Sequence, residues 1–219
     1  MTEALNPTLV LLRASIVVHE VGHFVGYLSA AGDSIPDSEP LVIARLEAPD
    51  AGWRAQYPGS WSPSSGIDRL IATACGPAGS WSFCEQVLRS ESSPGPAELA
   101  TRILQADSLD LLSWSITDRC ASDSDRRTTI GLGSLAASAQ YREQIATALK
   151  LSALMGVWLA TTEEGQIFAV TAHRALLAQG RFEIRAGALR ELAADAVMRC
   201  RGLASPAPEH APEPAGATA

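Results

Sequence analysis

The clearest pattern of apolar and polar positions lies between Ile16 and Leu28, where the sequence reads IVVHEVGHFVGYL. At about 100° per residue, a helix places His19, Glu20 and His23 in a single sector about 100° wide. The apolar residues of the same segment lie between about 140° and 240° from His19. They are Val17, Val21, Phe24, Val25 and Leu28. The pattern therefore predicts a helix with an apolar stripe facing away from a polar sector.

Gly22 and Gly26 lie on the flank of this helix, beside the histidines. Each glycine costs a helix about 1 kcal/mol relative to alanine. A missing side chain lets another part of the chain, or a substrate, come unusually close. The two glycines therefore predict a close approach on the histidine side.

Weaker patterns divide the rest of the chain. Short apolar runs next to turn residues predict strands at Leu41 to Ala48 and Trp53 to Tyr57. Helical periodicity predicts helices at Thr8 to Ala30, Ile67 to Arg89 with an interruption near Gly76-Pro77 and Gly79, Ala97 to Leu112, Asp125 to Leu132, Ser138 to Thr161, Thr162 to Gln179 and Arg185 to Arg201. A polar connection is expected at Ser113 to Ser124. The predicted fold class is α+β, mainly α-helical, with a short β-hairpin or small sheet after the first helix.

Composition adds limits to this picture. With 219 residues, of which 47% are hydrophobic, the chain has enough apolar material for a single domain, expected over residues 1–203. Residues 204–219 are rich in Pro, Ala and Glu, which predicts a disordered tail. A net charge of −7 argues against an electrostatic nucleic-acid interface.

Cysteine usage and charge placement predict a cytoplasmic protein. The four cysteines form no C-x-x-C pair and are expected to be reduced. The start of the chain has no basic region typical of a signal peptide. Arg13 and the H-E-x-x-H residues within the first apolar helix argue against a membrane span there.

His19, Glu20 and His23 form the H-E-x-x-H pattern. An i,i+4 spacing on a helix sets two imidazoles side by side, which suits zinc. The intervening glutamate is placed to take a proton from a water molecule that attacks a carbonyl group. The pattern thus predicts zinc bound by His19 and His23, with Glu20 as general base. The alternative is that these residues bind no metal and only form the polar face of an amphipathic helix.

Several stretches together resemble the peptidase domain of FtsH-type zinc metallopeptidases. They are VVHEVGHFVGYL, LVIARL, DRLIATACGPAGSW, SDSDRRTT and a closing helical pair, so the likeness in organisation spans roughly residues 8 to 185. It implies a zincin-like domain that hydrolyses peptide bonds in a peptide or protein substrate. No Walker A motif is present, so ATP-driven degradation is not implied, and Gly76-Pro77-Ala78 replaces the family's arginine-containing stretch. A homo-oligomer or a separate partner protein is possible.

In that family the third zinc ligand is an aspartate at the start of a later helix. The likeness points to Asp125, because Thr129 then lies at i+4, where the family has a small residue. A helix N-terminus also suits an anionic ligand. Asp123 is the alternative, since SDSD allows either register, although Asp123 also suits a helix N-cap. Three further aspartates remain weaker candidates. They are Asp107, Asp110 and Asp118.

Two other interpretations stay open. Site-2-type intramembrane metalloproteases have H-E-x-G-H-F and A-G-P stretches that look like HEVGHF and CGPAG, but their L-D-G motif is matched here only by Leu109-Asp110-Leu111. The second interpretation is a non-catalytic zinc-binding module that regulates or binds a partner. ImmA-like regulatory peptidases also carry H-E-x-G-H, although no downstream motif of theirs is apparent.

Overall fold

The computed structural model describes residues 6–45, 53–56, 62–63 and 65–204. Within these ranges the chain forms helices, three strands and a short 3-10 turn. In chain order they are α1 (Pro7–Ala31), the 3-10 turn (Gly32–Ser34), β1 (Pro40–Arg45), β2 (Trp53–Gln56), α2 (Gly66–Val87), α3 (Pro96–Gln105), α4 (Ser108–Thr117), α5 (Asp123–Leu132), α6 (Ser134–Ala137), α7 (Arg142–Thr161), α8 (Glu163–Gln179), β3 (Arg181–Arg185) and α9 (Ala186–Ala204). The predicted α+β class, mainly helical with a small sheet, is confirmed.

Helix α1 lies at the centre of the structure. It packs most extensively against α2 and also contacts α7, α8, α9 and β2, while α2 packs in turn against α7. Asn6 caps the start of α1 by accepting a hydrogen bond from the Thr8 backbone N–H. Every residue from Val17 to Leu28 is buried, including the histidines. The polar sector predicted for α1 therefore faces the protein interior and not solvent.

The three strands form an antiparallel sheet in the order β2-β1-β3. Strand β1 is central: Ile43 lies opposite Ala55 of β2 on one side and opposite Phe182 of β3 on the other. Leu41 and Ile43 are fully buried beneath the helices. The sheet therefore holds β2 at its edge, next to α1.

A close crossing joins α1 to α2. A Cβ atom at Gly22 would lie 2.5 Å from the Cys75 carbonyl oxygen, and one at Gly26 would lie 2.5 Å from the Ile71 carbonyl oxygen. Real side chains do not tolerate such distances, so only glycine fits at these two positions. The predicted close approach beside the histidines is confirmed, and the approaching segment is α2.

Several predicted boundaries were wrong. Helix α2 continues through Pro77 without interruption. The helix predicted at Ala97 to Leu112 is two helices, because the Asp107 side chain accepts hydrogen bonds from two backbone N–H groups and starts α4 as a new helix. Helix α4 then extends into the predicted polar connection as far as Thr117. Helix α7 begins at Arg142, not at Ser138.

Strand β3 was also missed. Gly180 has a φ of 68° and ends α8, and β3 follows at once and pairs with β1. The strand predicted at Leu41 to Ala48 is described only as far as Arg45, and the predicted second strand only as far as Gln56. Residues 46–48, Tyr57 and the tail from residue 205 lie outside the described residues.

Within the described residues, two segments are long and apolar enough to cross a membrane by length and composition alone. They are Pro7–Ser34 and Arg142–Thr161, and in each the most apolar stretch is 67% buried inside the protein. Buried core helices of soluble proteins pass the same test, so these segments are weak evidence for a membrane protein. All four cysteines are free, with Cys75 and Cys200 buried.

The crossing generates a first prediction. Gly22→Ala should destabilise the protein by about 1–3 kcal/mol, because the new methyl group must push α2 away from α1. Urea unfolding of the variant measures this loss. Gly131→Ala in α5 is the matched control, since a Cβ atom there meets nothing within 4 Å. Equal stability of the two variants would contradict the tight crossing.

Candidate metal centre

Both histidines of α1 are oriented by α2. The His23 Nδ1 atom lies 2.9 Å from the Ala72 carbonyl oxygen, and the His19 Nδ1 atom lies 3.1 Å from the Ser80 hydroxyl oxygen. A carbonyl oxygen can only accept, so His23 carries its proton on Nδ1. The two Nε2 atoms therefore point toward the same place and lie 3.1 Å apart.

Gly76 makes this arrangement of His23 possible. A Cβ atom at position 76 would lie 2.5 Å from the His23 ring. The ring thus packs directly on the backbone of α2, in a space that any side chain at position 76 would fill. The CGPAG stretch therefore serves the site, a role beyond the helix interruption and the family likenesses that its sequence suggested.

Asp125 completes the cluster from a different helix. Its Oδ2 atom lies 3.3 Å from the His19 Nε2 atom, and its Oδ1 atom lies 3.8 Å from the His23 Nε2 atom. The candidate ligand atoms of the three residues lie within 4.8 Å of one another. The structure thus brings together the two histidines and the aspartate that the sequence singled out.

The start of α5 fixes the Asp125 carboxylate. Ser122 is the N-cap, and its hydroxyl oxygen accepts a hydrogen bond from the Asp125 backbone N–H. In return, the Asp125 Oδ2 atom accepts hydrogen bonds from the Ser122 backbone N–H at 2.9 Å and from the Ser122 hydroxyl at 2.8 Å. This capping box orients the carboxylate toward the histidines. Ser122-x-x-Asp125 is visible in the sequence and would have settled the register.

The competing aspartates lie elsewhere. Asp123 is the first residue of α5, not its N-cap, and its side chain is 91% exposed. Asp107 and Asp110 form the capping box of α4 and are exposed. Asp118 is buried on the far side of His19, where it binds Ser80. Thr129, at i+4 from Asp125, is buried.

Glu20 lies beside the cluster and is also buried. Its Oε2 atom accepts a hydrogen bond from the Ala55 backbone N–H at 2.5 Å. Burial raises the pKa of Glu20 to about 7, although the nearby His19 and the Ala55 N–H act in the opposite direction. A carboxylate with a pKa near neutrality can both take up and give back a proton. The contact with β2 was not predicted, because it depends on tertiary packing.

An open cleft of about 510 Å³ gives solvent access to these residues. Strand β2 lines one side of it with Trp53, Arg54 and Ala55. Cys120 and the start of α5 also line it. The cleft has the size of a small-molecule or peptide-segment site.

The electrostatics of the cluster favour a cation. Burial alone would lower the pKa of His19, but the Asp118 and Asp125 side chains outweigh burial and raise it to about 10. Burial lowers the pKa of His23 to about 4, and the charge of His19 adds to this effect. Burial would raise the pKa of Asp125, but hydrogen bonds with His19 and Ser122 and the charges of His23 and His19 hold it well below its ordinary value. These shifts favour a protonated His19, a neutral His23 and an ionised Asp125 at neutral pH.

The donor set fits a divalent metal ion. Two imidazole nitrogens and one carboxylate oxygen converge, and each imidazole has a partner on its other nitrogen, as metal-binding histidines usually do. The cleft beside these three candidate ligands would leave room for a water molecule on a bound ion. Such an ion would replace the proton on the His19 Nε2 atom.

The chain matches no protein-family model, no curated protein and no solved structure. The FtsH-like resemblance therefore rests on the motifs of the sequence itself.

The electrostatics generate a prediction for chelator-treated protein. Because the folded-state pKa of His19 is raised, its contribution to stability is fully present below pH 6.5 and is lost as the pH rises through about 10. The measurement uses a Cys120→Ala background, because the hydrogen bond with Cys84 lowers the pKa of the Cys120 thiol to about 7 and this thiol would act in the opposite direction. In that background the free energy of unfolding should fall by about 1 kcal/mol per pH unit between pH 7.5 and 8.5. Urea titrations at several pH values measure the slope. Zinc-saturated protein is the control and should lack it, because a ligating histidine must be neutral. A flat profile without metal would show that His19 titrates near its ordinary value.

The placement of the aspartates generates another prediction. Asp125→Ala should weaken zinc binding at least about 10-fold, because the cluster loses the carboxylate that faces both Nε2 atoms. Asp123→Ala is the matched control and should leave zinc affinity unchanged, since that side chain points into solvent. Competition with a chromogenic chelator measures both affinities. The reverse order would transfer the ligand role to Asp123.

Proposed function

We propose that this protein is a zinc-dependent metallopeptidase of the zincin-like, FtsH-type kind, which hydrolyses peptide bonds without its own ATPase. The observation that carries the proposal is the convergence of His19, His23 and Asp125 within 4.8 Å, with Glu20 buried beside them. The free cysteines agree with a reducing compartment, so we place the enzyme in the cytoplasm.

Metal binding and proton transfer are assigned to different residues of the site. His19, His23 and Asp125 would hold the ion, which when bound would acidify a water molecule and polarise the carbonyl group under attack. Glu20 takes the proton from the attacking water and later gives it to the departing amine. Its pKa of about 7 suits both transfers.

Strand β2 supports a peptide as the substrate. The Ala55 N–H donates to Glu20, so this part of the strand edge faces the cleft instead of β1. An extended peptide can lie along such an edge and pair with it through backbone hydrogen bonds. Arg54 is the one Arg or Lys in the described lining of the cleft and would favour a substrate with an acidic group nearby.

The site-2-type alternative receives less support. Its L-D-G motif would require Asp110 near the histidines, but Asp110 lies in the first turn of α4 with its carboxylate on the Asp107 backbone N–H. The non-catalytic alternative shares the metal centre and differs only in turnover.

Replacement of Glu20 tests the proposal. Glu20→Gln should keep one zinc per chain, because Glu20 is not a ligand, and should lower the hydrolysis of an unfolded protein substrate at least about 100-fold. Glutamine keeps the shape of the side chain and can still accept the Ala55 N–H. Elemental analysis and the release of peptides from the substrate are the two measurements.

Glu191→Gln is the matched control, since it makes the same change on the exposed face of α9. Unchanged turnover in Glu20→Gln would remove Glu20 from the mechanism. Zinc binding without turnover in the wild-type protein would favour the non-catalytic alternative. Full zinc content in both His19→Ala and His23→Ala would place the metal elsewhere.

A further inference from the structure

The second nitrogen of His19 leads into a chain of buried polar groups. Ser80 of α2 is fully buried, and its hydroxyl oxygen lies 3.1 Å from the His19 Nδ1 atom. The same hydroxyl lies 2.6 Å from the Oδ2 atom of Asp118, which is 2% exposed. None of the motifs in the sequence pointed to Ser80.

The direction of these hydrogen bonds follows from the groups themselves. The Ser80 hydroxyl has one hydrogen and three acceptors in reach, which are the Asp118 carboxylate at 2.6 Å and the carbonyl oxygens of Gly76 at 3.1 Å and Pro77 at 3.4 Å. A carboxylate is the strongest acceptor and also the nearest. The hydroxyl therefore donates to Asp118 and accepts the Nδ1–H of His19.

Asp118 is an unusual residue to bury at this position. A buried carboxylate is costly unless a positive group compensates it. Among the described residues, the only ion pair of Asp118 is with His19, at 3.7 Å between Oδ2 and Nδ1. The negative charge of Asp118 is thus directed at the imidazole that faces the candidate metal position.

The helix that carries Asp125 also holds Asp118 in place. Arg126 donates from Nη2 to the Asp118 carbonyl oxygen at 2.8 Å and from Nε to the Ile116 carbonyl oxygen at 3.3 Å. Arg126 directly follows Asp125 in α5. The end of α4 and the start of α5 are therefore fixed to each other, so Asp118 and Asp125 approach His19 from its two sides.

We propose that Ser80 and Asp118 are positioning residues that hold His19 with its proton on Nδ1 and its Nε2 lone pair directed at the metal. This inference rests on the metal centre of the proposed function. A histidine ligand held in this way has one tautomer and one ring orientation, and the carboxylate behind it makes the nitrogen a stronger donor.

Two substitutions test this arrangement, which we call the relay: the path of hydrogen bonds from Asp118 through Ser80 to the His19 Nδ1 atom. Asp118→Asn keeps the shape and removes the charge, and Ser80→Ala removes the hydroxyl that links the carboxylate to the imidazole. Each should weaken zinc binding about 10- to 100-fold. Asp123→Asn is the matched control, because it makes the same change on an exposed residue near the site, and it should leave affinity unchanged. Chelator competition measures the affinity.

The double variant separates a relay from two independent structural roles. If Ser80 and Asp118 act through one path, the loss of zinc affinity in the double variant should be close to that of the worse single variant, not the product of both. Proton NMR of zinc-loaded protein supplies a second readout: the His19 Nδ1–H signal should be protected from exchange in the wild type and lose protection in Ser80→Ala. Urea unfolding confirms that the variants fold.

The outcomes distinguish the relay from the proposed function. A wild-type protein that takes up no zinc would overturn the proposed function and the relay with it. A wild type that binds zinc, with both single variants binding equally well, would overturn the relay alone. Multiplicative losses with an unchanged Nδ1–H signal would also overturn it. Should Asp118→Asn fail to fold, Ser80→Ala and its NMR signal decide.

Discussion

The close crossing of α1 and α2 is the constraint on which the rest of the site depends. Gly22 and Gly26 allow the two backbones to meet, and Gly76 leaves room for the His23 ring on the surface of α2. At this separation the Ala72 carbonyl and the Ser80 hydroxyl reach the Nδ1 atoms of the two histidines. Ring orientation is therefore decided by helix packing, before any metal ion is involved. A wider crossing would lose both contacts together.

The burial of this cluster determines which of its side chains carry a charge. His19, His23 and Asp125 converge beside the cleft, while Asp118 lies on the other side of the His19 ring. Burial disfavours the charged forms of both imidazoles and of the Asp125 carboxylate, so the cluster is best balanced with a positive charge on or beside His19. A proton on His19 supplies one positive charge, while a divalent ion at the Nε2 atoms supplies two. The packed helices therefore create a cluster that favours a bound cation.

The parts of the structure that follow from local sequence were predictable. The i,i+4 histidines, the apolar stripe of α1 and the role of its glycines follow from helical geometry within a few turns. Strand β3 was not predictable in this way, because its register depends on pairing Glu183 with Val42, far away in the chain. Asp118 was only a weak candidate, because its contact with Ser80 arises from packing between α2 and the end of α4. The capping box of Ser122 and Asp125 was local and was overlooked.

The Asp125 side chain has two roles: it helps to cap α5, and it is the candidate third metal ligand. Its carboxylate accepts two hydrogen bonds from Ser122 and faces both histidines, so the geometry that starts α5 also places the candidate ligand. The free N–H groups and the dipole of a helix N-terminus favour an ionised carboxylate there. Asp123, only two residues earlier, has the same helix terminus but points into solvent. The register of a single helix start therefore decides whether the histidines of α1 have a third partner.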